Sequence, residues 1–336
     1  MTQSQTNPGT DPTKGSVSAQ PAPSPPGVRA PKGLEAELAG RPTPGKLALR
    51  YTVLIAGAVL LLIPFFWLVT GSLKTDQEIS DLSKWLPASP RWGNLVESLE
   101  FMGLRLPEWA THVVGGTPHD DILIPRFPAL ANTIVVTTVV LVLQVLSSAI
   151  VGYGFARYRF RGRNVTFMVM LATMMLPYQV SMIPVFLLFR QLGWIDTLLP
   201  LIVPFAFGQP FFIFMFRQFF MQIPHDLHEA AKIDGAGAWR TFWTIMLPLT
   251  KPVIAIVAIY SFMFTWNDFL APLIYLNSPE QRTLAVELNS FNGQYGVERR
   301  ELLLAASLIT MLPCVVIFFA AQKHFVDSGA ASGLKS

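Results

Sequence analysis

Hydrophobic residues in this chain fall into long unbroken runs separated by polar or proline-rich intervals, at 49–70, 130–155, 165–189, 197–216, 252–276 and 302–321. Each is about 20 residues or longer, the length a helix needs to cross a bilayer core. Within hydrocarbon only a helix or a closed barrel satisfies its own backbone. None of the runs alternates apolar and polar positions with the period of two that a barrel requires. The pattern predicts an all-α, polytopic membrane protein with six transmembrane helices.

Four regions follow. Residues 1–47 are rich in Pro, Ser, Thr, Gly and Ala and cannot bury enough apolar surface to order themselves, which predicts a disordered, proline-rich cytoplasmic tail. Its charged, apolar and small residues do not follow the order of a secretory signal. Residues 48–129 hold the first transmembrane helix and a long extracytoplasmic loop, 130–322 the transmembrane core, and 323–336 a cytoplasmic C-terminal tail.

Composition supports this solvent assignment. Hydrophobic residues make up 51% of the 336 and charged residues 14%, too apolar for a water-soluble domain. The single cysteine, Cys314, excludes an intrachain disulfide and a cysteine metal site. The net charge of +4 carries no aromatic-basic stripe of the kind that binds nucleic acid. The basic residues instead flank the apolar runs and report orientation. The link holding Arg157, Arg159, Arg161 and Arg163 contains no acid and is assigned to the cytoplasm. Alternation then puts both termini and the basic residues Lys14, Arg29, Lys32, Arg41, Lys46 and Arg50 inside, and the acid-rich loop 71–129 outside.

The link at 223–252 has the richest pattern. Pro224 suits the start of a helix, and Asp226 and Glu229 complement the positive end of its dipole. Asp234-Gly235 signals a turn, after which Trp239, Phe242, Trp243 and Met246 recur at helical spacing up to Pro248 and Pro252. A helix-turn-helix under the membrane is predicted. Its small residues Ala230, Ala231, Gly235, Ala236 and Gly237 would let another protein's surface come close, although an amphipathic helix resting on lipid fits the pattern equally well.

This segment resembles the EAA motif of binding-protein-dependent ABC importer permeases, through Glu229-Ala230-Ala231, Asp234-Gly235-Ala236 and Leu247-Pro248. Further stretches resemble the carbohydrate-uptake branch, of the maltose and glycerol-3-phosphate permease type. They are Asn132-Thr133, the run from Ala156 through Arg161 to Gly162, Trp266-Asn267-Asp268, and Gln322 to Val326. The glycine that follows Phe325-Val326 falls at Gly329, one place later than in that branch.

The resemblance implies the six-helix fold of the first importer type, with the EAA segment as a coupling helix docking on a cytoplasmic ATPase. Glu229, Ala230, Ala231, Asp234, Gly235, Ala236, Leu247 and Pro248 carry that role over. The partners implied are a second, related permease chain, two ABC ATPase subunits that hold ATP and Mg²⁺, and an extracytoplasmic sugar-binding protein. The chain itself is expected to be non-catalytic and to bind no cofactor or metal. The run from Gly40 to Leu47 nearly matches a phosphate-binding loop, but Leu47 stands where Mg²⁺ needs a hydroxyl, and two prolines remove backbone donors. His225 and His228 are not spaced as in His-Glu-x-x-His and are expected to face water or the ATPase.

Two further regions are candidates. Asp268 falls inside the fifth apolar run, where an ionised carboxylate costs on the order of 3 kcal/mol. With Trp266 and Asn267 it either lines the sugar path or fixes a helix–helix contact. The polar outer loop carrying Asn289, Asn292, Gly293, Gln294 and Tyr295 is compatible with the family's contact to the binding protein. An ion-gradient-driven secondary transporter is the alternative. It predicts inverted repeats and paired intramembrane acids, and only one such acid and no repeat is evident.

Overall fold

The computed structural model describes residues 44–104, 128–291 and 299–333, and among these every regular element is helical. The chain divides into two compact units, 1–61 and 62–336. In the first, the described part belongs to α1 (Pro44–Gly71), which begins before the end of the segment expected to be a tail. The remainder of that tail lies outside the described residues. Leu54, Leu60 and Leu61 of α1 are largely uncovered, as suits a helix bathed in lipid.

The second unit begins with the end of α1 and the segment expected to be an extended outer loop. It contains α2 (Asp76–Ser80) and α3 (Gly93–Phe101). Thr75 and Glu78 close a reciprocal capping box on α2. Asn94 donates to the carbonyls of Ser72 and Lys74, and Lys74 lies 4.2 Å from the Trp67 ring. Residues 105–127 lie outside the described residues.

The centre of this unit is α4 (Ala129–Arg157), 29 residues without a proline. The run expected at 165–189 is two helices, α5 (Arg163–Ala172), extended by a 3-10 turn, and α6 (Tyr178–Gln191), bent by 97°. Pro177 explains the break, since it has no N–H and forces Leu176 into extended backbone. The fourth run is α7 (Leu199–Ala206) and α8 (Pro210–Gln222), six residues longer than expected at its far end. They are parted at Gly208, whose φ of +81° favours glycine.

Next come α9 (His225–Ile233) and α10 (Ala238–Leu249), the latter with a π-helical turn over Phe242–Met246. The fifth run is α11 (Lys251–Trp266) and α12 (Leu270–Tyr275), interrupted at 267–269. A short α13 (Leu284–Ser290) precedes α14 (Arg300–Gly333), which carries the predicted C-terminal tail forward as continuous helix as far as Gly333.

Among the described residues, four spans are long and apolar enough to cross a membrane, and six if the bent pairs α5–α6 and α10–α11, the latter bent by 80° and starting earlier than the run expected at 252–276, each count as one span. The largest apolar core joins α4, α8, α10 and α11 through Val145, Ala149, Phe216, Phe242, Met246 and Val257. Gly152 permits this packing, because a Cβ there would sit 2.7 Å from Phe216 Cβ and 3.1 Å from the backbone of Ile213 and Arg217. Inside the apolar layer, Ser261 of α11 donates to the Gln144 amide oxygen of α4 at 2.6 Å.

Gly152→Val is therefore expected to destabilise the protein by about 1–3 kcal/mol, through overpacking of a core with no room to shift. The apparent melting temperature in detergent checks this. Gly154→Ala, where a Cβ meets nothing within 4 Å, should leave it unchanged.

Candidate functional site

The helix-turn-helix predicted at 223–252 is present as α9 and α10. Its start is one residue later than expected, with Pro224 as the N-cap and His225 as the first helical residue. The turn after α9 is a Schellman motif: Ala236 N–H donates to Ala231 O at 2.9 Å and Gly235 N–H to Lys232 O at 3.0 Å. That motif puts Gly235 in the left-handed region, at φ +75°. A Cβ on Gly235 would meet nothing within 4 Å of its own chain, so the bend presents bare backbone outward.

Burial divides the motif residues. Ala231 is buried and Ala236 half-buried. Glu229, Ala230, Asp234, Gly235 and Pro248 are exposed, and Leu247 is half-buried beside the main core. The exposed tip is not purely polar. Ile233 is 86% exposed and Trp239 62%, with Leu227 also open. Periodicity alone could have flagged Ile233, since a large apolar residue beside Asp234-Gly235 has no core to enter.

His228 departs from expectation. It points inward, 5% exposed, with Tyr153 Oη 3.3 Å from its Nδ1. Tyr158 packs edge-on to the same imidazole, with the ring centroids 6.4 Å apart. Two positions before the EAA alanine, a histidine facing the apolar layer at i, i+3 spacing from Ala231 is an anchor. Burial holds its pKa below the ordinary histidine value, with Lys232, Arg157 and His225 adding like-charge repulsion and Glu229 opposing them. His225, three residues earlier, is exposed.

A second anchor comes from the end of α4. The Arg157 guanidinium, nearly buried, donates from Nη2 to Phe220 O at 2.7 Å and Ile223 O at 2.6 Å. These are carbonyls at the C-terminal end of α8, which have no intrahelical partner. In the sequence Arg157 marks topology and belongs to the run that resembles the carbohydrate-uptake branch. Nothing in the spacing connects it with a helix end 63 residues away.

The three residues at 266–268 do not share a face. Trp266 is buried, stacks on Phe262, and donates from Nε1 to Thr310 O of α14 at 3.1 Å. Asn267, exposed, donates to Met263 O at 2.8 Å. Asp268 lies on the opposite side, where its carboxylate accepts from Ala271 N–H at 3.4 Å and borders a small cavity with Thr133, Thr265, Thr283, Leu201 and Phe205. The cavity has space for roughly one water molecule.

At the same end of α4, the segment leading to α13 is held by polar contacts. Asn132 Nδ2 donates to Glu280 O at 2.9 Å and Arg282 O at 3.0 Å. The Thr133 hydroxyl accepts Leu284 N–H at 2.7 Å. Asp196, a non-glycine at φ +64°, accepts from the N–H groups of Asn277 and Ser278 at 2.9 and 2.7 Å and from the Ser278 hydroxyl. These bonds, that of the Ser278 hydroxyl first, hold its carboxyl below the usual carboxylate range. Asn289 is exposed on α13. Asn292, Gly293, Gln294 and Tyr295 lie outside the described residues. Among the described residues, no group of three or more His, Cys, Asp or Glu is placed to hold a metal.

Comparison with known proteins bears on this arrangement directly. Residues 144–328 match the family described as binding-protein-dependent transport system inner membrane component. The chain is 34% identical to the arabinooligosaccharides transport system permease protein of Bacillus subtilis over 278 residues, covering 83% of this chain and 92% of that one. It is 30% identical to the diacetylchitobiose uptake system permease protein of Streptomyces coelicolor, covering 84% and 86%. Among solved structures, a bacterial ABC transporter involved in import of the acidic polysaccharide alginate superposes with a TM-score of 0.67 at 23% identity, over 83% of this chain and 95% of that one. That likeness shows the fold. A match across more than half of the chain, centred on α4 to α14, establishes that this protein belongs to the binding-protein-dependent transport system inner membrane components.

Proposed function

We propose that this chain is a permease subunit of an ATP-driven sugar importer and that α9 with its turn is the coupling helix. Permeases of this family are not themselves catalytic, so ATP and Mg²⁺ belong to partner ATPase subunits. Family membership replaces the ion-gradient alternative. The sugar class is supported by the relatives, which are named for arabinooligosaccharides, diacetylchitobiose and lactose.

The observation that carries the coupling assignment is the Schellman bend. It exposes bare backbone at Gly235, flanked by the carboxylates of Glu229 and Asp234 and by the open side chain of Ile233, on a helix whose other face is tied down. A partner can bury that tip, and the buried anchors His228 and Ala231 would pass its displacement to α4 and α8. The rest of the assembly comprises a second, related permease to complete the pore, two ATPases below, and a sugar-binding protein on the far side. Both termini are cytoplasmic in this arrangement, supported by the arginines at 157–163 and the acids of 71–129.

The test is sugar-stimulated ATP hydrolysis and uptake by the reconstituted complex with Gly235→Asp. Aspartate tolerates the left-handed backbone better than most residues, so the chain should fold. Its carboxylate would project into the partner, and stimulated hydrolysis and uptake are expected to fall roughly tenfold or more. Full uptake without ATP would overturn the proposal.

The His228 anchor makes a second prediction. Its folded-state pKa lies below the unfolded value of about 6.5, so the folded state binds fewer protons and its stability falls as the pH drops through and below that value. Amide hydrogen exchange in α9 should therefore quicken, relative to α14, between pH 7.5 and pH 5.5. His228→Gln, which does not titrate, should abolish the difference between the two conditions.

A further inference from the structure

Four arginines lie close together where α4 gives way to α5, and the fold uses only one of them fully. Arg157 is spent on the carbonyls of Phe220 and Ile223. Arg159 and Arg161 are exposed, and Arg163, the first residue of α5, is half-buried. The Arg163 guanidinium donates from Nε to Asn164 Oδ1 at 3.4 Å and from Nη1 to Tyr158 O at 3.3 Å. Both bonds are long, and neither uses Nη2, so the fork is steadied with donors to spare.

No acid balances this charge. Between Asp121 and Asp196 the chain has neither Asp nor Glu, and among the described residues Arg159, Arg161 and Arg163 join no ion pair. Instead α8 adds a further cation. The Arg217 guanidinium stacks 4.2 Å from the ring of Phe167, which lies one turn along α5 from Arg163, near enough to feel the Arg163 charge. Its buried Nε has no hydrogen-bond partner.

Beside these groups lies an open pocket of about 280 Å³, lined by Arg159, Phe160, Gly162, Arg163, Asn164 and Val165. Gly162 is the N-cap of α5 and has no side chain to accept from the first-turn N–H groups, so the pocket wall includes the uncapped, positive start of a helix. Apolar surface continues from it. Val165, Met168 and Val169 share one face of α5 and are all largely exposed, forming a stripe that leads away from the pocket along the span.

We infer that this pocket binds an anionic phospholipid, with the phosphodiester held by Arg159, Arg163 and the N–H groups at the start of α5, and the acyl chains laid along Val165, Met168 and Val169. Charge, shape and position select this occupant. A phosphodiester supplies the negative charge that the arginines lack and accepts from a planar fork. The apolar stripe has nothing to offer a free phosphate. The pocket sits at a helix end, the level at which basic pockets between membrane helices meet lipid headgroups. The inference needs only that α4 and α5 are embedded in a membrane, and it is independent of what is transported.

The test takes the full chain in detergent, stripped of lipid, and measures its affinity for three probes by native mass spectrometry. They are dioleoylphosphatidylglycerol, dioleoylphosphatidylcholine and free glycerol phosphate. Wild type is expected to hold one phosphatidylglycerol about tenfold or more tightly than either of the others, since one lacks the net charge and the other the chains. Arg159→Gln and Arg163→Gln should each weaken phosphatidylglycerol about fivefold, and together about 25-fold, with phosphatidylcholine unchanged. Arg163→Lys, which keeps the charge and loses the fork, should fall between wild type and Arg163→Gln. Arg190→Gln, at an exposed position in the last turn of α6, should change nothing.

Equal affinity of wild type for the two lipids would overturn the inference, leaving the arginines to an acidic protein partner or to topology alone. Glycerol phosphate bound as tightly as phosphatidylglycerol would overturn it in favour of a free anion, and so would a double variant with wild-type affinity for phosphatidylglycerol. Should the double variant fail to fold, Arg159→Gln decides, because its exposed position lies between helices, and an unchanged affinity there also overturns the inference. Transport is read in none of these measurements, so a failure of the permease reading leaves every outcome interpretable.

Discussion

A helix that stops inside a membrane protein leaves its last carbonyls without partners, and in this protein one guanidinium supplies them for α8. Arg157 reaches from the end of α4 to the carbonyls of Phe220 and Ile223. Without it, each buried carbonyl would cost about 1–3 kcal/mol to leave unmade. The chain turns from α8 into α9 directly after Ile223, so the same two bonds fix where α9 starts. The direction of α9 and the place of the bend at Gly235 depend on that starting point, because a helix is aimed from its base.

The same requirement explains where the long helices are interrupted. Breaks occur at Leu176-Pro177, at Gly208 and at 267–269, each where proline or glycine sits or where a polar side chain takes over from the helical ladder. Gly208 also lies against Ser147 and Ser148 of α4, with a Cβ there 3.0 Å from the Ser148 hydroxyl. The helices around α4 are therefore jointed, whereas α4 is not.

Hydrophobic runs were enough to locate the spans, because a bilayer demands about 20 apolar residues whatever surrounds them. The EAA stretch was equally legible, since Asp234-Gly235 dictates a turn on local grounds alone. What the sequence did not disclose was orientation of side chains across elements. Trp266, Asn267 and Asp268 are neighbours in the chain, yet a helix end separates their directions, so that two face α14 and one faces α4 and α7. Likewise His228 read as a surface residue because it sits in a charged stretch, and only the approach of Tyr153 reveals that its position on α9 faces inward. The pairings of Arg157 with α8 and of Thr133 with α13 link residues 63 to 151 positions apart, beyond the reach of any local pattern.

Asp196 meets two separate demands at once. Its backbone occupies a conformation that suits glycine, asparagine or aspartate, and its carboxylate gathers three donors from Asn277 and Ser278. Few replacements meet both. Glycine keeps the bend and loses the clasp, glutamate keeps the charge and forfeits the bend, and asparagine keeps the bend with a weaker acceptor. Position 196 is thus held to a far narrower choice of residue than a link between two helices ordinarily is, and a replacement there would loosen the segment that follows α12.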